Sequence, residues 1–560
     1  MSSSCAPGMA EARLEDGFCA HTLFLTFRSR SVIAVGTTNL LVLERAKSQV
    51  SWLYDEDGDG LVDSRKQLAS VSGLNHGLAI HDDYLYASSD TTVYRWPYVP
   101  GDDTVGGDVE EVVVNISADG KGGAPGGHTT RTLALDSTGR LYVSVGSAGN
   151  IDADSFRSRI RRCDLNTTSF PVDFNNCEVF ADGLRNEVGL AFDKHGILWG
   201  TEAGPDNLYR EDLGGDIHND NPAEELHRFP EELAGKHHGY PYCWTEFNIP
   251  DYGNGLGTLW AWPSFMDDGY TDDYCRTETL PPELGMQGHS SPLGIVFYDF
   301  PEDAPDDCTG RFPQSMDGYA FVAYHGSWNR DIPTGYKVVY IPMNETGRVP
   351  EGEEAHDFLW HDGDGARWDS GFRPVDVDFD ECGRLVVSSD GTSGAGAAVV
   401  RVSYQGTETP SLFPTMFPSV FPSKIPTMTP SSNFPTPVPS AGPTSRLSMS
   451  PSSLPSEVPT SSPTTIPTTA PSAGSTSLPS ISPSSFPSEM PTTSPSIVAT
   501  TPPTPLPTTG PSEVSSMSPH FLPLSLPQLI HHQKPTVPIS HAIFIFFLYY
   551  CSRPYGYCNE

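Results

Sequence analysis

The sequence predicts an all-β body, a β-propeller of six or seven blades, followed by a disordered Pro/Ser/Thr-rich C-terminal stalk. Three observations carry this expectation. Short β-branched and aromatic runs recur between Gly/Asp turns across residues 20–405. A strand, D-x-x-G turn, strand unit repeats, with starts near 78, 132 and 190, or 54 and 58 residues apart. No long amphipathic helix pattern interrupts the series. A hairpin repeat of about 50 residues marks a propeller blade, and the body has room for six or seven. A pair of packed β-sheets is the structural alternative.

The units follow in order. Residues 32–35 and 40–43 read as a first hairpin. Residues 78–80 and 84–87 flank His81-Asp82-Asp83, and 132–135 and 141–145 flank Asp136-Ser137-Thr138-Gly139. Residues 190–192 and 197–200 flank Asp193-Lys194-His195-Gly196, and 375–379 and 385–388 flank Asp380-Glu381-Cys382-Gly383. Each is two β-rich runs around a turn sequence. Residues 1–19 form an N-terminal segment and 20–405 the propeller. Residues 406–537 are Pro, Ser and Thr in repeating steps, as in Phe413-Pro414-Thr415 and Phe417-Pro418-Ser419. Proline removes backbone donors and apolar residues are scarce, so this reads as an extended stalk, with a folded repeat array as the alternative. Residues 538–560 are a short apolar C-terminal segment.

Charge separates the two parts. The chain carries −37, of which −36 falls on residues 1–405 and −1 on the remainder. Phosphate binding needs a positive footprint, so this charge argues against nucleic acid as a partner and against docking on anionic lipid. None of the ten cysteines forms a C-x-x-C pair or lies at zinc-site spacing to a histidine. Cys163–Cys177 and Cys243–Cys275 are the expected disulfides, with free buried thiols as the alternative. Asn115, Asn166 and Asn344 head N-x-[ST] sequons. Together these point to a secreted or cell-surface glycoprotein. No signal peptide is visible in residues 1–20. The longest apolar run, 542–550, is nine residues, against about 20 for a membrane span.

Propellers bind ligands on the axis, so polar loop residues ahead of the repeated hairpins are the candidates. They are Asn75-His76-Gly77, His128-Thr129-Thr130-Arg131, Arg185-Asn186, Ser327-Trp328-Asn329-Arg330 and Arg373-Pro374. The first three precede corresponding hairpins and should meet at one mouth. A cationic mouth in an acidic protein points to an anionic ligand, since arginine pairs bidentately with carboxylates. Glu202-Ala203-Gly204-Pro205-Asp206-Asn207 supplies carbonyls and carboxylates suited to calcium.

These stretches carry a resemblance. G-H-T-T-R-T-L-A-L-D, G-L-R-N-E-V-G-L-A-F-D and T-E-A-G-P-D-N-L, then Y-H-G-S-W-N-R-D-I-P-T-G-Y-K-V-V and F-R-P-V-D-V-D-F-D, occur in that order. They resemble the glucose/sorbosone dehydrogenase family, soluble quinoproteins using pyrroloquinoline quinone, closest to the sorbosone and pyranose dehydrogenase branch. The resemblance covers about residues 20–404. It implies six blades, with the quinone at the top above a calcium ion. His128 matches the family's base, which takes the sugar hydroxyl's proton as hydride goes to the quinone. A loop histidine satisfied by its neighbours is the plainer reading. Arg185 and Asn186 match quinone contacts, and Arg373 an arginine pairing with its carboxylates. Arg330 falls where the bacterial glucose enzyme has a lysine. Gly204 and Pro205 match the residues whose carbonyls hold calcium. Asn75, His76, Arg131 and Trp328 are rim or pocket residues. The plainer readings are surface salt bridges for the arginines and a Gly-Pro turn at 204–205.

The chain departs from the family at Glu187, where many relatives carry proline. A carboxylate there must point away from the mouth or pair. Residues 265–274, with four Asp and three aromatics, shape the substrate side or form a solvated loop. The run Asp55, Asp57, Asp59, Gly60, Asp63 is part of a calcium-loop pattern, but Lys66 stands where the bidentate Glu belongs, which favours an acidic turn. No C-x-x-C-H haem motif appears, so the electron acceptor is separate. The expected activity is oxidation of an aldose or related sugar, with the stalk spacing the enzyme from a cell wall or partner. A calcium-dependent lactone hydrolase and a non-catalytic binding ectodomain are the alternatives.

Overall fold

The computed structural model describes residues 8–406 except 10, 117–126, 154–155, 167–168, 345, 362–366 and 392–395. The stalk from 407 onward, the segment 538–560 and residues 1–7 lie outside the described residues. Six four-stranded antiparallel units make a six-bladed propeller, which settles the choice against two packed sheets. Blade 1 is Ser29–Val35, Asn39–Glu44, Gln49–Tyr54 and Ser64–Ser70. Blade 2 is Leu78–His81, Tyr84–Ser88, Val93–Pro97 and Glu110–Val114. Blade 3 is Leu133–Leu135, Arg140–Val145, Arg159–Asp164 and Glu178–Asp182. Blade 4 is Glu187–Phe192, Leu198–Glu202, Glu224–Phe229 and Leu284–Met286. Blade 5 is Pro292–Phe297, Ala320–Tyr324, Lys337–Ile341 and His356–His361. Blade 6 is Pro374–Phe379, Leu385–Ser389 and Ala398–Tyr404, completed by Phe18–Leu25 from the other end of the chain. Ala12–Leu14 adds a further strand to blade 5. The propeller therefore draws on residues ahead of position 20.

The D-x-x-G turns have a clear physical cause. Asp136 Oδ1 accepts the backbone N–H of Thr138 and Arg140, and Asp193 Oδ1 those of His195 and Ile197. Gly139 and Gly196 then take φ of 80° and 74°, which a side chain would resist. These turns join the first and second strands of their blades. The opposite ends of those strands, and the loops there, form the mouth.

Blades pack through apolar faces. Between blades 5 and 6, Phe312, Phe321, Phe358, Val387 and Val400 are fully buried. Hydroxyls stitch the second strands of blades 2, 4 and 6 to the next blade: Ser88 donates to Arg131 O, Thr201 to Leu293 O and Ser388 to Arg30 O. The expected disulfides Cys163–Cys177 and Cys243–Cys275 form. A third, Cys308–Cys382, ties the first-hairpin turn of blade 6 to that of blade 5.

Two buried carboxyls of blade 6 also reach blade 1. Asp376 accepts the N–H of Val32 and Asp378 that of Ala34. Burial pushes both carboxyls up to about 7. A folded-state pKa above the unfolded value gives stability that is present below about pH 4 and lost as pH rises through 7. We expect Asp376→Asn and Asp378→Asn to gain stability relative to wild type between pH 5 and pH 8. The gain should be on the order of 1–2 kcal/mol each, reduced by partial exposure. Urea unfolding at the two pH values reads it, and an equal difference at both would refute it.

A segment between the third and fourth strands of blade 4 carries the hairpin Cys243–Thr245 with Leu259–Ala261 and the helix Asp272–Glu278, capped by Thr271. Tyr242 stacks on Tyr270 at 3.8 Å, with Phe265 and Tyr274 edge-on. Residues 265–274 are thus ordered by their aromatic side chains, and Asp272 is fixed by Arg210. The run from Asp55 to Asp63 is a turn whose carboxylates serve backbone donors: Asp55 accepts from Gly58, Asp59 and Gly60, and Asp63 from Glu56. Among the described residues no helix is long and apolar enough to cross a membrane.

Candidate active site

The mouth is closed by contacts that run from blade to blade. Asn75 Nδ2 donates to Thr129 O, joining blades 2 and 3. Ser147 N donates to Arg185 O, joining blades 3 and 4. Asp206 of blade 4 lies 3.4 Å from His289 Nδ1, which leads into blade 5. Arg373 Nε donates to His325 O, linking blades 6 and 5. Asp390 of blade 6 takes Arg30 Nη1 at 2.7 Å, and Arg30 Nε donates to His76 Nδ1 at 3.3 Å, reaching blades 1 and 2. The loops predicted to converge do converge.

His128 is half-buried, and its Nδ1 lies 3.2 Å from Ser147 O and 3.0 Å from Ser147 Oγ. With the Nδ1 proton on the carbonyl, Nε2 keeps its lone pair, and no donor among the described residues meets it. Burial, then the charges of Arg185 and Arg157, push this imidazole down to about 3. It is therefore neutral at pH 7. Gly146 makes its placement possible: a Cβ there would lie 2.7 Å from His128 Cβ and 2.4 Å from Asn186 Oδ1. Asn186 thus packs beside His128.

The arginines divide into two kinds. Arg185 is spent within the protein, with Nη2 on Asp206 at 3.0 Å and on Asn150 Oδ1, Nη1 on Ala203 O and Nε on Asn150 O. Arg330 pairs with Asp220 at 2.9 Å and also holds Gly288 O. Arg131 is 0% exposed and serves Asp90 O, His128 O and Thr130 O. It fixes the His128 loop from within, and is not a rim residue. Arg373 donates to His325 O and Gly326 O and, among the described residues, has no carboxylate partner. Trp328 is 63% exposed on the rim. His76 is buried and held neutral by burial and by the Arg30 and Arg45 charges. Asn75 Oδ1 is buried without a donor among the described residues.

Gly204 and Pro205 follow the second strand of blade 4. Gly204 N donates to Glu224, whose carboxyl burial raises to about 7. Among the described residues, nothing donates a hydrogen bond to the carbonyl oxygen of Gly204 or Pro205. The carboxylates of this loop are committed elsewhere: Asp206 to Arg185 and His289, Glu202 to Arg185 N and His227. Glu187 points into blade 4, away from the mouth.

Sequence reasoning missed Arg157, His289, His325 and Asp390. Arg157, 1% exposed, donates to Gly146 O and His128 O. His325 donates to Asp390 at 2.7 Å. Burial opposes ionisation of Asp390, yet His325 and Arg30 hold it well below the usual carboxylate range. His325 and Asp390 follow second strands, and those loops reach the same face as the loops that precede first strands. The motif H-G-S-W-N-R contained the signal for His325.

The sequence profile of the TrAA12-like family matches residues 12–400. The chain belongs to this family. It is 33% identical over 392 residues to a Hypocrea jecorina protein named a pyrroloquinoline quinone-dependent sugar dehydrogenase, covering 65% of this chain and 83% of that one. A pyrroloquinoline quinone-dependent pyranose dehydrogenase of Coprinopsis cinerea is 31% identical over 327 residues, covering 54% of this chain but 41% of that longer protein. Among solved structures, a Trichoderma reesei carbohydrate-active enzyme of family AA12 superposes with a TM-score of 0.60 at 30% identity, covering 70% of this chain and 98% of that one. The holo pyranose dehydrogenase quinone domain from Coprinopsis cinerea also gives 0.60, at 27% identity.

Proposed function

We infer that the chain is a quinoprotein dehydrogenase that oxidises an aldose or related sugar with pyrroloquinoline quinone and passes the electrons to a separate acceptor. The observation that carries this is His128, a neutral imidazole anchored through Nδ1 with Nε2 free at the mouth. The donor set fits an anionic cofactor with a calcium ion. Arg373 carries charge that no described carboxylate neutralises, Asn75 Oδ1 lacks a donor, and the Gly204 and Pro205 carbonyls lack hydrogens. Calcium seeks such hard oxygen donors. Bound there, the quinone supplies a two-electron acceptor for hydride from the sugar carbon.

The chain's own groups do the rest. His128 Nε2 takes the proton of the hydroxyl at the anomeric centre as that carbon is oxidised, or of a hydrated sugar aldehyde. Ser147 holds the imidazole in the tautomer this requires. Arg131 and Arg157 fix the backbone carbonyl of His128, so the ring keeps its place when substrate enters. A lactonase would need free carboxylates around an axial metal, whereas Asp206 and Asp390 are both paired with cations. The sequons and disulfides support secretion or display at a cell surface. Asn115 and Asn166 are exposed, and the stalk is read as a spacer toward a wall or partner.

The test adds pyrroloquinoline quinone and calcium to purified apoprotein and follows absorbance and dye reduction with a panel of sugars. Calcium-dependent binding with sugar oxidation is expected. No quinone binding at any calcium concentration would overturn the reading.

A further inference from the structure

Blade 4 buries a cluster that its own protein atoms do not satisfy. Glu187, first residue of the inner strand, is 3% exposed, and neither side-chain oxygen has a hydrogen-bond partner among the described residues. Its carboxylate lies on the α-carbon of Gly200, where a Cβ would come within 2.0 Å of Oε1. Donor atoms of Glu187, Glu202 and His227 lie within 4.8 Å of one another. His227 Nε2 is 3.2 Å from Glu202 Oε2 and 3.0 Å from Glu225 Oε2. All four side chains are buried.

Neither charge state of Glu187 fits alone. Ionised, it is a buried anion with no donor, beside two more carboxylates. Protonated, its hydroxyl has no acceptor. Either condition is costly. A protonated His227 offsets one charge only, and its Nε2–H already faces Glu202 and Glu225. A cavity of about 10 Å³ borders Glu202, Glu225 and His238 next to Gly204 and Pro205. That is on the order of one water, and neither Glu187 nor His227 lines it.

We propose that this cluster binds a divalent transition-metal ion, zinc or manganese, through Glu187, Glu202 and Nε2 of a neutral His227, with Glu225 Oε2 beside the same nitrogen. Two carboxylates and one imidazole, with water or Glu225 completing the shell, suit such an ion better than calcium, which takes six to eight oxygens. A tetrahedral ion with ligands at about 2.1 Å sets donors roughly 3.4 Å apart, close to the spacings around His227 Nε2. Glu202 keeps its other oxygen on the N–H of Arg185 at 2.7 Å, which orients it. The ion braces the strand end that leads into Gly204 and Pro205. It is distinct from a calcium held by those carbonyls, because it uses side chains inside the blade.

The experiment uses the full chain without quinone or calcium, stripped with chelator and then given Zn²⁺ or Mn²⁺. One tightly bound equivalent is expected by elemental analysis after dialysis, with a rise in Tm of several degrees. X-ray absorption of the zinc form should show one imidazole in an oxygen-rich shell. Glu187→Gln keeps the shape and should weaken binding about 10–100-fold, while Asp55→Asn in the exposed acidic turn should not. The proposal fails if wild type binds no stoichiometric metal or if the zinc shell lacks imidazole. It fails equally if Glu187→Gln binds as well as wild type, or if Asp55→Asn abolishes binding.

Discussion

Replacing His128 by alanine is expected to lower kcat for sugar oxidation about 10²- to 10⁴-fold, the usual worth of a positioned general base. The fold should be unaffected, because Arg131 and Arg157 hold this loop through the backbone carbonyl of His128, which alanine retains. Quinone uptake should persist, since none of the cationic groups is removed. The protonation state can be read separately. In the cofactor-free protein, burial and the charges of Arg185 and Arg157 hold His128 at about 3. Its ring-proton NMR signal should therefore not titrate between pH 5 and 8, while an unperturbed histidine would move near 6.5. The linkage has a definite sign. A histidine whose folded pKa is depressed destabilises the fold as pH drops below about 6.5, because the unfolded chain binds the proton more readily. Dye-coupled rates at saturating sugar, with quinone affinity followed by absorbance, check the kinetic claim. A loss of less than tenfold in kcat would remove His128 from the role of base.

The blade repeat was legible because each hairpin turn states its own chemistry. Asp136 and Asp193 cap the N–H groups two and four residues on, and Gly139 and Gly196 take the left-handed backbone. Alternating apolar runs on either side then fix the strands. The closure of blade 6 by Phe18–Leu25 was not legible as such. Nothing in a lone strand records which distant edge it will pair with. The mouth was half legible for a related reason. Polar residues ahead of the first strand of each blade stood out as clusters. Their partners His325 and Asp390 follow second strands, and sequence order separates them from Arg30 by about 300 residues or more. Arg131, Arg185 and Arg330 read alike in sequence, yet their partners are quite different. Only the packing shows that Asp206 neutralises Arg185 and that Arg131 serves backbone carbonyls. Glu187 was visible as an awkward carboxylate. Its direction into blade 4 follows from the pleat of its strand together with the room left by Gly200.

Those differences make Arg373→Ala the sharper test of how the cofactor is held. Arg373 has only two carbonyl acceptors, at 3.2 and 3.4 Å, and no carboxylate among the described residues. Breaking such long bonds costs little, and its charge remains available for an incoming anion. Arg185 and Arg330 each surrender an ion pair, with Asp206 and Asp220, before they can serve a ligand. A charge-assisted hydrogen bond is worth about 1.5–3 kcal/mol, so Arg373→Ala should weaken quinone binding roughly 10- to 150-fold. Arg330→Ala should weaken it less, because the mouth loses a cation that Asp220 already screens. Arg373→Lys should recover part of the loss, since it keeps the charge but not the planar fork that matches a carboxylate. Added salt should narrow the gap between wild type and Arg373→Ala if the contact is with a charged group near solvent. Equilibrium titration of the three variants with quinone at fixed calcium orders them. If Arg330→Ala costs more affinity than Arg373→Ala, then pairing within the free protein does not decide which arginine meets the cofactor. The Arg330–Asp220 pair would then have to open on binding.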